Sequence, residues 1–539
     1  MSLHRLVLVA LAAACCLPTV ARGAPQEPKI GSVWYEESVD LGFRVKTPKD
    51  WDFIPPNPLD KNLIGKYAPP NGAHVSLGGD AVAFLSVWMV KFDHRSTPAK
   101  PEADRKPDTK QMMIEAGTAK DIDAWMAGGI DEGAAWHRAG EWKALKGADI
   151  PCNWTLYEGT STSGAGSDRK PVRCYVAKFA LSDAVDVAIV GIGPTDGKWR
   201  VYEKAFETMA KSFQRMEVSG TGAKPIDATD PRAEKRAQLQ AEVAKSPGWS
   251  LYETPNYFVI SSYNDKQFIE ELEVRLEAIR AIFEKDYPPS KARRIRVTMH
   301  EEGEEEEGDD EDKPVEEQHS VTAETIDPLL LSRCSVVRVC KDHDQYIQYG
   351  GPQGTGGYWL APAEELVVFD DKQVNGTAAT WSTLNHEAFH QYIFYFYGAI
   401  APHSWYNEGT GDYYSGFEFK NGKFKLGPAI GRKSNLKDIT STGRHVPLKE
   451  FVRWSKAKYY GQNERRLEPW YCYAQGWALV WFLRTGEGNV KGWQKSWNGI
   501  LDSYLETLLN TGELDQAIDK AFEGVDWDAF EAAWLAYIG

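Results

Sequence analysis

His386-Glu387-Ala388-Phe389-His390, followed at a distance by Trp405-Tyr406-Asn407-Glu408-Gly409-Thr410-Gly411-Asp412, decides how the second half of this chain is read. Two histidines four apart on a helix lie one above the other on the same face, so both imidazoles reach a single cation. Between the two stretches, Phe389 and Gln391 to Tyr397 continue a helix crowded with large apolar groups, and Gly398 and Pro402 supply a terminating glycine and a breaker. Ser404 is the expected N-cap of a second helix, with Glu408 and Asp412 following on one of its faces.

Those residue types point to a metal centre. A catalytic zinc takes three protein ligands and keeps a fourth position for water, so His386, His390 and Glu408 are the expected ligands of one Zn2+ per chain. Asp412 is placed to accept the spare ring N–H of a ligating histidine, which fixes the tautomer and orientation of the ring. Zinc lowers the pKa of a bound water to about 7, and Glu387, beside a ligand without being one, is the expected general base that takes this proton and returns it to a leaving amine. A non-haem iron site uses the same ligand types, but the glutamate next to the first histidine favours zinc hydrolysis. Taken alone, the pentapeptide is also compatible with a chance string on a surface helix. The apolar helix, its stop signal, the spaced second helix and the two acids on it argue jointly against chance.

These residues resemble the gluzincin clan of zinc peptidases, and most of all the bacterial peptidase-MA-like family, largely described as a domain of unknown function. Its hallmark is His-Glu-x-x-His followed by Trp-x-x-Glu-Gly, here Trp405 to Gly409. Downstream, Tyr473-Ala474-Gln475-Gly476-Trp477-Ala478-Leu479-Val480 is similar to the Tyr-x-x-Gly helix that aminopeptidase-N-like gluzincins set beside the metal. The resemblance implies that the Tyr473 hydroxyl stabilises the oxyanion, a contribution typically worth about a hundredfold to a thousandfold in turnover. Ordinary packing is the competing role, since Trp477, Val480 and Trp481 follow Tyr473 at helical spacing. The sequence lacks the Gly-x-Met-Glu-Asn segment by which aminopeptidases of the clan hold a free amino terminus, so exopeptidase action has no support. The resemblance covers residues 248–539 and implies a mostly helical peptidase domain with an edge β-sheet. In that clan the strand before the active-site helix is a sheet edge that takes extended substrate backbone, and Glu365 to Phe369 is the matching segment. A buried central strand fits its apolar run equally well.

Around this centre, Trp249 to Ile260 alternates like an opening strand, Phe268 to Phe283 has helical spacing, and Ile295 to Met299 and Val336 to Val339 read as further strands. Trp493 to Leu509 and Gly512 to Ile538 read as a helical end.

A chain of 539 residues exceeds what one hydrophobic core usually organises. Residues 1–23 read as a signal peptide, with Arg5, an apolar run from Leu6 to Leu17, and Ala21-Arg22-Gly23 at the cleavage site. That run is too short to span a bilayer and no later stretch is long and apolar enough, so an exported soluble protein, periplasmic or extracellular, is expected. Ala12-Ala13-Ala14-Cys15 leaves lipoprotein anchoring at Cys15 as the alternative. Residues 30–217 carry short alternating segments, among them Leu41 to Trp51, Val82 to Lys91, Val172 to Phe179 and Val185 to Gly191, closed by an amphipathic helix from Tyr202 to Phe213. Their order, with a terminal Ser212-Phe213, resembles the PsbP-like α/β sandwich, a module generally used for association, which implies a protein partner for this half. Residues 218–247 turn to Gly, Pro, Lys and Glu and read as a linker with one polar helix. The expected fold class is therefore α+β.

The net charge of −15 is local: Glu301 to Glu317 holds twelve acids and one lysine, −11 of the total. Such a tract reads as a solvated, disordered insertion between strands, and its spacing matches no EF-hand loop. Lysines and arginines are scattered, so no nucleic-acid surface is expected. Of seven cysteines, Cys15 and Cys16 leave with the signal, and the remaining five include at least one unpaired thiol. Cys152 and Cys174 pair only if their strands are neighbours. Cys334 and Cys340, across an extended segment, sit about 20 Å apart and cannot bridge. Cys472 reads as a buried helix residue without a partner base. Of eleven histidines only His386 and His390 have ligand spacing.

Peptide-bond hydrolysis in peptides or proteins is the activity these features favour. The rival is a non-catalytic secreted binding or scaffold protein that retains a structural or vestigial metal site. A Glu387 carboxylate beside an open coordination position separates the two.

Overall fold

The computed structural model describes residues 26–70, 74–77, 80–83, 85–94, 118–128, 135–162, 169–219, 229–292, 294–299, 319–324, 334–372, 375–397 and 402–538. The stretch 1–23 read as a signal peptide, with Cys15, the acidic tract 301–317 and Gly398 lie outside these residues. Sheets dominate the first half of the chain and helices the second, an α+β architecture.

The N-terminal half is built on an antiparallel sheet whose strands run Asp52–Ile54, Leu63–Ala68, Ser86–Asp93, Val185–Pro194, Arg169–Ala180, Cys152–Thr162, His74–Leu77 and Asp80–Ala83 in spatial order. Along Val185–Pro194 successive side chains leave on opposite faces. Val187 and Ile189 enter one core beneath helix α1 (Trp199–Lys211) through Trp199, Tyr202, Phe206 and Met209. Ala188, Val190 and Ile192 enter a second core with Ile122, Trp125 and Met126 on the other side. Both faces are thus covered, which explains why this strand reads as a near-continuous apolar run. The expected strand Val82 to Lys91 is in fact parts of two, Asp80–Ala83 at the sheet's far end and Ser86–Asp93 near its centre, because an apolar run carries no mark of where the chain changes place.

Cys152 and Cys174 do lie on neighbouring strands, yet Cys152 faces Phe179 and Cys174 faces Tyr157. An odd offset along one strand sends the two thiols to opposite sides of the sheet, and both are free. Cys334, Cys340 and Cys472 are free as well.

The second sheet has five strands: β1 (Ser250–Glu253), β2 (Tyr257–Ser261), β3 (Ser335–Cys340), β4 (Gly357–Leu360) and β5 (Glu365–Phe369), in the order β1-β2-β3-β5-β4. The expected single strand from Trp249 is a hairpin, broken where Thr254, Pro255 and Asn256 turn the chain from β1 into β2. β2, β3 and β5 are parallel to one another, and β1 and β4 pair antiparallel at the two edges. Glu365–Phe369 is consequently not the edge. All five of its residues are buried between β3 and β4, as the apolar run Leu366 to Phe369 on a parallel strand requires, and the edge role passes to Gly357–Leu360.

Pleating divides this sheet between two cores. Val337, Val339, Leu366 and Val368 face helices α3 (Lys266–Asp286) and α4 (Thr377–Tyr397). Val336, Cys340, Val367 and Phe369 share a core with Phe53, Ile54 and Tyr67, so the N-terminal half covers the rear of the sheet. Trp249 Nε1 donates to the Phe53 carbonyl at 3.0 Å across that junction. The segment read as a linker contains a packed helix, α2 (Ala233–Ala244), which buries Leu239 and sends Glu242 to Arg338 on β3 at 2.5 Å. A single apolar residue and one acid whose partner lies 96 positions away leave too faint a trace for the sequence to announce that docking. Among the described residues no helix is long and apolar enough to cross a membrane.

Candidate metal centre

Helix α4 is apolar almost all round, the mark of a helix that runs through a core rather than across a surface. Leu384, Ala388, Phe389 and Phe396 are buried in the large C-terminal core, and the Gln391 amide donates to the Val336 carbonyl at 2.9 Å, pinning the helix to the middle strand. His386 and His390 therefore project from a rigid rod. Their acidic partner arrives on helix α5 (Ser404–Ser415). Ser404 is the first residue of that helix and not its cap; the N-cap is His403, whose backbone N–H and Nδ1 both lie 2.9 Å from the Tyr504 hydroxyl.

Close approach of helices sets the depth of the site. A Cβ on Gly409 would stand 2.5 Å from the Gly476 carbonyl oxygen on helix α6 (Pro469–Thr485), and one on Gly476 would stand 2.8 Å from the Tyr459 hydroxyl. A Cβ on Gly411 would press on the His386 ring at 2.9 Å. The glycines that follow Glu408 and Tyr473 are therefore packing requirements: they let α5 lie against both α4 and α6.

Three donor atoms converge there. His386 Nε2 and His390 Nε2 are 2.9 Å apart, and Glu408 Oε2 lies 3.3 Å from the first and 3.4 Å from the second. A point about 2 Å from all three atoms falls close to their common plane, the length of a zinc–imidazole bond. The donor set fits a divalent cation on chemical grounds too: two imidazole nitrogens in contact share no attraction until a cation or proton stands between them. Among the described residues this buried group is the one cluster of three that could hold a metal ion.

Asp412 Oδ1 is 3.1 Å from His386 Nδ1, so that nitrogen carries a proton and Nε2 is the ring atom turned toward His390 and Glu408. Arg432 holds Asp412 in turn through two bonds, Nε to Oδ2 at 2.7 Å and Nη2 to Oδ1 at 3.1 Å. Burial works against charge on His386, but the hydrogen bonds to Asp412 and Glu408 outweigh it and lift its pKa to about 10. Burial likewise opposes ionisation of Glu408, and the charges and hydrogen bonds of His390 and His386 prevail, holding its carboxyl well below the usual range.

Glu387 is buried and points toward the sheet edge, where Oε2 accepts the Trp359 backbone N–H of β4 at 2.9 Å. Burial pushes its carboxyl pKa up, with the two histidines acting in the opposite direction. Tyr473 is buried with its ring centroid 6.5 Å from that of His386, its face under the Arg432 guanidinium at 4.7 Å, and its hydroxyl donating to the Tyr460 hydroxyl at 3.4 Å. Tyr460 itself donates to Glu408 Oε1 at 2.8 Å. Burial pushes both tyrosine hydroxyls well above their ordinary pKa, so they remain donors.

His386, Glu387, His390, Glu408, Asp412 and Tyr473, all singled out by sequence, are thus brought into one buried neighbourhood. Arg432, Tyr460 and Trp359 were not anticipated. Arg432 reads as one more scattered base before Lys433, Tyr460 as half of an aromatic pair, and Trp359 acts through its backbone, which no side-chain pattern reports. Because Arg432 orients the carboxylate behind a candidate ligand, Arg432→Met is expected to weaken zinc binding about 10- to 100-fold in a competition titration against a chromophoric chelator.

No protein-family profile matches this chain, and no curated protein does. A solved structure, the Ran-binding protein Mog1p of Saccharomyces cerevisiae, is similar to part of it at 14% identity, covering 35% of this chain and 98% of that one, with a TM-score of 0.21.

Proposed function

We propose that this chain is an exported zinc metallopeptidase of the gluzincin type, related in its C-terminal half to the peptidase-MA-like family, with an N-terminal α/β half of the PsbP-like kind. The observation that carries the reading is the convergence of His386, His390 and Glu408 on one point about 2 Å from each, with the Glu387 carboxylate anchored beside them on a sheet edge. Zinc held by these three residues would polarise a scissile carbonyl and acidify a water at neutral pH. Glu387 takes the proton from the attacking water and passes it to the leaving amine; its buried carboxyl has the raised proton affinity that such a shuttle needs. Tyr473 supplies a hydroxyl donor to the developing oxyanion. Asp412 and Arg432 hold the His386 ring. An extended substrate adds along Gly357–Leu360, the antiparallel strand last in the sheet order that also carries the Trp359 contact to Glu387, so the substrates are peptides or unfolded protein segments.

Metal analysis of the purified protein, coupled to digestion of a peptide library with and without chelator, tests the proposal. One zinc per chain and cleavage that is lost with chelator and regained on adding zinc are expected. Bound metal without cleavage of any peptide would leave a binding protein with a structural ion, and the hydrolytic reading would fall.

A further inference from the structure

We infer that Tyr460 is a positioning residue: it fixes Glu408 as a one-oxygen ligand and, at rest, holds the Tyr473 hydroxyl beside it until a substrate oxyanion takes that proton's bond. The inference rests on the metal reading above and goes beyond it by assigning separate tasks to the two oxygens of Glu408.

Glu408 Oε2 faces the histidines at 3.3 and 3.4 Å, whereas Oε1 faces away from them and accepts Tyr460 at 2.8 Å and the Asn407 amide at 3.4 Å. A carboxylate with one oxygen engaged in this way resists swinging both oxygens onto the same cation. The Tyr460 hydroxyl has a single proton, and the ionised Glu408 beside it takes that bond. Its lone pairs then remain for Tyr473, whose hydroxyl donates at 3.4 Å. The result at rest is a chain from Tyr473 through Tyr460 to Glu408 whose firm link is the second, at 2.8 Å; the first, at 3.4 Å, is long, and the Tyr473 proton leaves it when an oxyanion is there to accept.

Local structure explains how Tyr460 reaches this place. Ser455 caps the short helix Lys456–Tyr459 by accepting the Lys458 N–H. Tyr459 is fully buried, 5.8 Å between ring centroids from Phe451 and 5.5 Å from Tyr473. Its hydroxyl lies over Gly476, where a side chain would strike it. Tyr459 therefore anchors the segment in the core, and its neighbour Tyr460 is carried to the ligand.

Cobalt(II) is the probe, since a four-coordinate cobalt ion absorbs visible light several times more strongly than one with a higher coordination number. Wild-type protein, Tyr460→Phe and Tyr473→Phe are titrated with cobalt, and zinc affinity is measured by competition. Tyr460→Phe keeps the ring and removes the donor; a loss of about 10- to 100-fold in metal affinity and a weaker visible band are expected, as for other partners behind metal ligands. Tyr473→Phe is expected to leave affinity and band unchanged while lowering kcat. Placing p-aminophenylalanine at position 460 restores a donor and is expected to recover both readouts, which separates lost orientation from lost folding. Wild-type affinity and an unaltered band in Tyr460→Phe would overturn the inference while leaving the metal reading intact. A wild-type chain that takes up no cobalt or zinc would overturn both.

Discussion

Glu387→Gln is expected to retain one zinc per chain and to lose between about a hundredfold and ten-thousandfold of turnover. The amide is the same size as the carboxyl and still accepts the Trp359 N–H through its oxygen, so the helix, the sheet edge and the three donors on α4 and α5 keep their places. What disappears is a group able to take a proton and give it back. Initial rates on a cleaved library peptide, measured with metal content on the same preparations, make the comparison. The loss belongs in kcat and not in KM if Glu387 acts on the reacting atoms alone. A variant that cleaves at the wild-type rate would remove Glu387 from the mechanism, and a variant that loses its zinc would show that this carboxylate is part of the metal site's support.

Glu365→Leu is expected to cost about 3–5 kcal/mol of stability, the usual consequence of stranding one member of a buried ion pair. Arg338 is fully buried in the middle of the second sheet, where its guanidinium meets Glu365 at 2.8 Å and Glu242 at 2.5 Å and lies against the rings of Trp249 and Tyr349. Tyr349 also donates to the other oxygen of Glu365. Removing the Glu365 carboxylate leaves the guanidinium with the partly exposed Glu242 alone. Arg338→Met combined with Glu365→Leu removes both charges, and the double variant is expected to recover most of the loss. Denaturant unfolding of the two single variants and the double variant gives the coupling. A single-variant cost below about 1 kcal/mol would mean that solvent reaches the pair. The location gives the experiment a second use: this face of the sheet is the one covered by the N-terminal half, so destabilisation here reports on the junction between the halves of the chain.

Much of the candidate site was legible because its parts are local. The spacing of His386 and His390, the adjacency of Glu387 and the four-residue step from Glu408 to Asp412 are all statements about one helical period, which covalent geometry imposes wherever the helix forms. The glycines after Glu408 and Tyr473 were visible as motif letters, but their reason, contact between helix backbones, is visible only when α5 and α6 are seen crossing. The PsbP-like and gluzincin resemblances likewise concern patterns along the chain; the order of strands lies beyond such patterns.

Chain order alone thus settled which helix carries the imidazoles, which acid can join them and which carboxylate lies next to the first of them. Folding decided the rest: that β4 and not Glu365–Phe369 forms the rim, that Cys152 and Cys174 look away from each other, that Arg432 backs Asp412, and that Tyr460 holds Glu408. The physical reason is the reach of each effect. Side-chain direction within one helix or strand follows from backbone periodicity a few residues long, while strand order and partners 20 to 52 positions apart follow from how whole elements pack, and no short stretch of residues encodes that packing.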